Sequence, residues 1–136
     1  MKVIYRVNIF VRFSMVLLLL SSLNGGHDLS LYKAVQYNLS KYRQSISHND
    51  FSFQNGIIRL KLNGRRTNIK SQILFGFYSV GMTLNRIDIQ CREIEIVVSY
   101  DTKKKNQIAV RASAEEVMNL SQGRLSSEQF FILIGY

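Results

Sequence analysis

Apolar and polar positions along the chain change period several times, and each change marks an element. From His27 to Ser47, the residues Leu31, Val35, Leu39, Tyr42 and Ile46 recur at steps of four, four, three and four. That spacing lays one apolar stripe along an amphipathic helix. Asp28 or Ser30 can cap its first amides, and the polar run Ser47-His48-Asn49-Asp50 predicts a turn after it. Phe51 to Gln54 and Ile57 to Leu62 then flank Asn55-Gly56. This pair suits a type I′ turn, whose two central residues need positive φ, so a hairpin is expected. Within its second strand Ile58, Leu60 and Leu62 alternate with Arg59 and Lys61. One sheet face is therefore expected to be buried and the other wet and basic.

The period returns to that of a helix from Thr67 or Asn68 to about Leu84, where Ile69, Ile73, Phe77, Val80 and Leu84 form the stripe. Leu74, Phe75, Tyr78 and Met82 widen it, as expected of a central helix packed on more than one side. Gly76 and Gly81 each cost this helix about 1 kcal/mol against alanine. They either permit a close helix–sheet or helix–helix approach or are simply tolerated. Arg86 to Tyr100 has strand character, but the apolar parity shifts between Cys91 and Ile94, which implies a bulge or break near Arg92-Glu93. A lysine-rich turn from Asp101 to Asn106 leads into the alternating segment Gln107 to Ala112, a second hairpin.

Helix-start chemistry is clearest at the C-terminal end. Ser113-Ala114-Glu115-Glu116 and Ser126-Ser127-Glu128-Gln129 are capping boxes, in which the serine accepts from the third amide and that residue's side chain reaches back. Gly123 suits the position after the first of these helices, and Leu125 with Phe130 suits a hydrophobic staple on the second. The pattern as a whole predicts an α+β domain. Its sheet should be antiparallel, with about four strands in two hairpins, helices packed on one face and two short C-terminal helices.

Residues 1–26 stand apart from this domain, which is expected to run over 27–136. Lys2, Arg6 and Arg12 precede an apolar run from Ser14 to Leu23, and Asn24-Gly25-Gly26 breaks it. This is the order of parts in an export signal or hydrophobic anchor. The run is too short to cross a hydrocarbon core that needs about 20 residues. No small-x-small cleavage pair precedes His27, and Val3, Tyr5, Val7, Ile9, Val11 and Phe13 alternate as a strand would. Export to a periplasmic, secreted or membrane-anchored location is the expectation, with a cytoplasmic protein as the alternative.

Composition adds two limits. With 46% hydrophobic and 20% charged residues the chain can bury a core, and its single cysteine, Cys91, can form neither an internal disulfide nor a zinc site alone. The net charge is +9, and beyond residue 26 there are 15 basic and 9 acidic residues, a balance suited to an anionic partner.

Catalytic chemistry finds little support in the pattern. His27 and His48 lie in boundary or turn segments without metal-ligand spacing, and there is no glycine-rich phosphate loop or nucleophile elbow. Glu93 and Glu95 share a strand face, where solvated like charges are expected, and Glu115, Glu116 and Glu128 belong to helix starts. No cofactor and no metal are expected, and a small hydrolase would need a polar pocket near His48.

A binding role has more to use. Arg59 and Lys61 on the outer sheet face can combine with Arg65, Arg66 and Lys70 from the following loop and helix start. Lys103, Lys104 and Lys105 form a basic hairpin tip, with Arg111 on the adjoining strand. Such clusters hold anions through charge. The expected function is a non-enzymatic binding or assembly module, exported or envelope-associated, whose partner is another protein or an anionic membrane surface. The alternative is an intracellular nucleic-acid-binding domain, although the sheet face lacks the exposed aromatics of an RNA-stacking platform.

Overall fold

The structure, a computed structural model, describes residues 29–101, 103 and 106–136. The export or anchor segment expected at 1–26, together with His27, Lys104 and Lys105, lies outside the described residues. Helix α1 occupies residues 29–40 and ends earlier than its apolar stripe suggests. Arg43 takes φ 56°, while the amides of Arg43 and Gln44 donate to the carbonyls of Ser40 and Leu39. That Schellman arrangement stops the helix. Ile46 is still buried, but from the extended segment beyond it. The chain then makes a 3-10 turn at His48–Asp50.

The first hairpin joins β1 (Phe51–Gln54) to β2 (Ile57–Asn63). Asn55 and Gly56 both have positive φ, 54° and 74°, as the type I′ turn requires. Helix α2 (Ile69–Leu84) follows, then β3 (Glu93–Ser99) and β4 (Gln107–Ser113), which pair as the second hairpin. Residues 87–92, expected to be strand, are irregular, and the parity break falls at the true start of β3. Both capping boxes form at α3 (Ala114–Ser121) and α4 (Ser127–Leu133). Glu116 N donates to Ser113 Oγ at 3.2 Å, and Gln129 N to Ser126 Oγ at 3.2 Å. Gly123, at φ 74°, closes α3 as expected.

The fold is α+β, with the four strands in the order β1-β2-β3-β4. One pairing departs from the expected antiparallel sheet. β2 and β3 run parallel, with Ile57 opposite Glu93 and Asn63 opposite Ser99. The reason is α2: at about 1.5 Å per residue its 16 residues carry the chain some 24 Å back along the sheet. β3 therefore starts at the same end as β2, as a crossover connection dictates.

Among the described residues one apolar core lies between one sheet face and the helices. Ile58, Leu60 and Leu62 of β2, Ile94, Ile96 and Val98 of β3, and Val110 and Ala112 of β4 meet Leu31, Val35, Ile73, Phe77, Val117 and Phe130 there. Gly76 and Gly81 both serve close approach. A Cβ at Gly76 would stand 3.0 Å from Ile96 of the sheet, and one at Gly81 would stand 2.7 Å from the Val117 carbonyl of α3. Between α1 and α2 the buried Asn38 donates to Thr83 Oγ1 at 3.0 Å, which in turn donates to Ser79 O at 2.8 Å. This bridge satisfies polar groups inside the core.

Candidate anion- and partner-binding surface

Strand alternation turns Arg59 and Lys61 away from the core, and both are exposed. The pairing register then sets Arg59 of β2, Glu95 of β3 and Arg111 of β4 in one row across the outer face. Arg59 Nε lies 2.6 Å from Glu95 Oε1, and Arg111 Nε donates to Glu95 Oε2, also at 2.6 Å. Arg111 Nη1 also reaches Glu93 Oε1 at 3.3 Å. The Glu95 side chain is only 5% exposed, against 53% for Arg59 and 62% for Arg111.

The expectation of solvated carboxylates and a basic sheet face is therefore corrected. Glu95 is buried between two guanidinium groups, and two carboxylates compensate two cations. A central strand leaves little water above its side chains, so the exposed arginines of the flanking strands fold over Glu95 and replace that water. The hydrogen bond to Glu95, then the charges of Glu95 and Glu93, raise the Arg111 pKa above its ordinary value and hold it in the charged form. A shallow cleft of about 230 Å³ lies beside this row, with Ser52, Gln54 and Asn55 on its wall.

The other predicted cations gather elsewhere, and the parallel pair is the cause. Because β2 and β3 point the same way, the chain leaves both at one end of the sheet. Gly64 N, just past β2, donates to Ser99 O at the end of β3 at 2.8 Å. Arg65 and Arg66 follow Gly64, and the β3–β4 turn with Lys103 leaves from beside it. All three cations are exposed, as is Lys61 near the end of β2. An antiparallel β2–β3 pair would have set the two basic segments at opposite ends.

Helix α2 starts at this same end. Asn68, its N-cap, accepts from Arg65 N at 2.6 Å through its side chain and gives the helix no side-chain cap. The first turn holds no acidic residue and carries Lys70. The helix dipole thus adds a positive field. Among the described residues, no carboxylate is within ion-pair distance of Lys61, Arg65, Arg66, Lys70 or Lys103. Asp101 shares the turn with Lys103 and accepts from Asn106 N at 3.3 Å.

Lys70 leads to a feature that the sequence pattern did not single out. Its Nζ stands 5.0 Å from the Phe131 ring centroid and 6.0 Å from that of Tyr136. Beside these rings Ile132 is 78% exposed and Tyr136 42%, while Leu133, 56% exposed, borders a second cleft with Arg92, Glu93, Ser113 and Glu116. A cleft of about 450 Å³ lies between Lys70, Phe131, Ile132 and Tyr136, with Glu128 on its rim. The signal for it was the unbroken run Phe130 to Ile134: a short helix seated by Phe130 and Phe131 must turn some of those five apolar residues outward.

The remaining candidates lie apart from both groups. His48 is exposed in the 3-10 turn, its ring 4.7 Å from that of Tyr32. Among the described residues, no three His, Cys, Asp or Glu side chains gather as metal ligands would, and no helix is long and apolar enough to cross a membrane. Compared with known protein families, curated proteins and solved structures, the chain matches none.

Proposed function

We propose that the α+β domain is a non-enzymatic binding module, exported or envelope-associated, that docks an anionic partner on the basic end of its sheet. The parallel β2–β3 pair carries this reading, because it brings Arg65, Arg66 and Lys70 to the end from which the Lys103 turn also leaves. Among the described residues no carboxylate is within ion-pair distance of these cations, which supports it, in contrast with Arg59 and Arg111, paired with Glu95 and Glu93. Several exposed cations on one rim attract an anionic surface by charge alone and release its counterions on contact.

The test is salt-dependent retention of the full chain on immobilised heparin, used as a generic polyanion. Arg65→Gln with Arg66→Gln should bring elution to clearly lower salt, whereas Arg59→Gln with Arg111→Gln should move it little. Equal effects from the two pairs would reject the assignment of the binding end. Fractionation of the native host tests the export part, which fails if the protein stays soluble in the cytoplasm with Met1 retained.

A further inference from the structure

We propose that the anionic partner is a lipid bilayer, and that the exposed end of α4 enters its interface beside the Arg65, Arg66 and Lys70 cations. This rests on the anion-binding reading and narrows it to one class of partner. Ile132 and Leu133 stand well out into water at 78% and 56% exposure, on a helix anchored from below by the buried Phe130 and Phe131. Adjacent exposed aliphatic side chains are costly to leave in water unless something apolar covers them.

The chemistry around them is that of an interface. Tyr136, 42% exposed, joins an apolar ring to a hydroxyl, the combination favoured at the boundary between headgroups and acyl chains. Lys70 extends along the Phe131 and Tyr136 rings, with its ammonium 5.0 and 6.0 Å from their centroids. A long cationic side chain in that setting buries its stem and keeps its charge at headgroup level. Arg65 and Arg66 add two exposed charges at the start of the same helix. Among the described residues that line the cleft Glu128 is the one acid, and of the two acids in the neighbouring cleft beside Leu133, Glu93 is paired with Arg111 and Glu116 caps α3. A nucleic acid would meet the cations but leave Ile132 and Leu133 uncovered. An anionic bilayer meets both, since headgroup charge and apolar depth lie one above the other.

The experiment uses the full chain with Cys91→Ser and Ile132→Cys, labelled at the new thiol, which borders the Lys70 cleft, with an environment-sensitive fluorophore. Phosphatidylcholine vesicles containing about one third phosphatidylserine should shift its emission to the blue, and vesicles of phosphatidylcholine alone should do so far less. The probe reports this site whatever other parts of the chain touch the membrane. In the unlabelled chain, Ile132→Ser with Leu133→Ser should weaken binding to the anionic vesicles by about tenfold or more, since each side chain gives up most of its apolar transfer. Both residues are exposed, so circular dichroism should show an unchanged fold. No blue shift, together with heparin retention that still depends on Arg65 and Arg66, would overturn the lipid assignment and leave the anion-binding reading intact. Loss of that heparin dependence as well would overturn both. A blue shift produced by an acidic protein or by DNA, but not by vesicles, would also refute the lipid assignment.

Discussion

Gly81→Ala is expected to destabilise the domain, although alanine is the better helix former. At Gly81 a Cβ would lie 2.7 Å from the Val117 carbonyl oxygen, 2.7 Å from Ser121 Cβ and 2.8 Å from Ser121 Oγ. Ordinary contact begins near 3.4 Å, so α3 would have to retreat by about 0.7 Å. One obstacle is backbone, which cannot rotate away. Overpacking of this kind costs about 1–3 kcal/mol, and the gain in helix propensity returns about 1 kcal/mol. The backbone obstacle sets the cost at the upper end of that range, so the expected net loss is about 2 kcal/mol. Gly76→Ala is the internal control. The nearest atoms to its Cβ would be Ile96 Cδ1 and Cγ2 and Leu62 Cδ1, at 3.0 to 3.2 Å, all side-chain atoms that can give by a few tenths of an ångström. That variant should stay within about 1 kcal/mol of the parent. Urea denaturation followed by circular dichroism measures both, and with a slope of about 1–2 kcal/mol per molar the Gly81 midpoint should fall by roughly 1 M. If Gly81→Ala is as stable as the parent, α2 and α3 do not approach as described.

Three further outcomes follow from individual sites. Arg43→Gly should stabilise the domain by up to about 1 kcal/mol, because φ 56° strains an arginine and suits glycine, less the greater freedom of glycine in the unfolded chain; thermal melting measures it. Glu93→Gln with Glu95→Gln leaves Arg59 and Arg111 uncompensated, so heparin retention should extend to higher salt; an unchanged elution point would contradict the charge-compensated outer face. Burial pushes the half-buried Cys91 thiol above its ordinary value near 9.0, with backbone hydrogen bonds at Ile58 and Glu93 opposing the shift, so native Cys91 should alkylate more slowly than the unfolded chain at mildly alkaline pH. The folded state holds that proton more tightly; this contribution to stability is complete below pH 9.0 and is lost as pH rises through the folded value, and Cys91→Ser should flatten that slope.

Local chemistry made most elements legible in the sequence. Asn55-Gly56 fixed a hairpin because few other pairs take positive φ twice, and the two serine boxes marked the starts of α3 and α4 to the residue. What could not be read locally depends on contacts distant in sequence. The stripe of α1 continued through Tyr42 and Ile46, yet Arg43 ended the helix, and Ile46 reached the core from an extended segment. Each hairpin was visible alone, but the parallel pair between them is imposed by the length and packing of α2. The candidate site suffered most from this. Arg59 and Lys61 were correctly placed on the outer face, while the place of Arg111 beside them and the compensation by Glu95 appear only once β2, β3 and β4 are in register. The convergence of Arg65 and Arg66 with Lys103 appears only once β2 and β3 are parallel. The polar bridge of Asn38, Thr83 and Ser79 was hidden for a similar reason, since none of the three lies on an apolar stripe.

The meeting of the two basic segments at one end of the sheet is open to a direct distance measurement. Spin labels at Arg66→Cys and Lys103→Cys, in a Cys91→Ser background, should lie closer together than labels at Arg66→Cys and Arg92→Cys. Arg92 marks the opposite end of β3, roughly 20 Å away along seven strand residues. Double electron–electron resonance on the full chain would read both separations. The shorter distance is expected for the 66–103 pair; a shorter distance for the 66–92 pair would contradict the parallel sheet and, with it, the basic end.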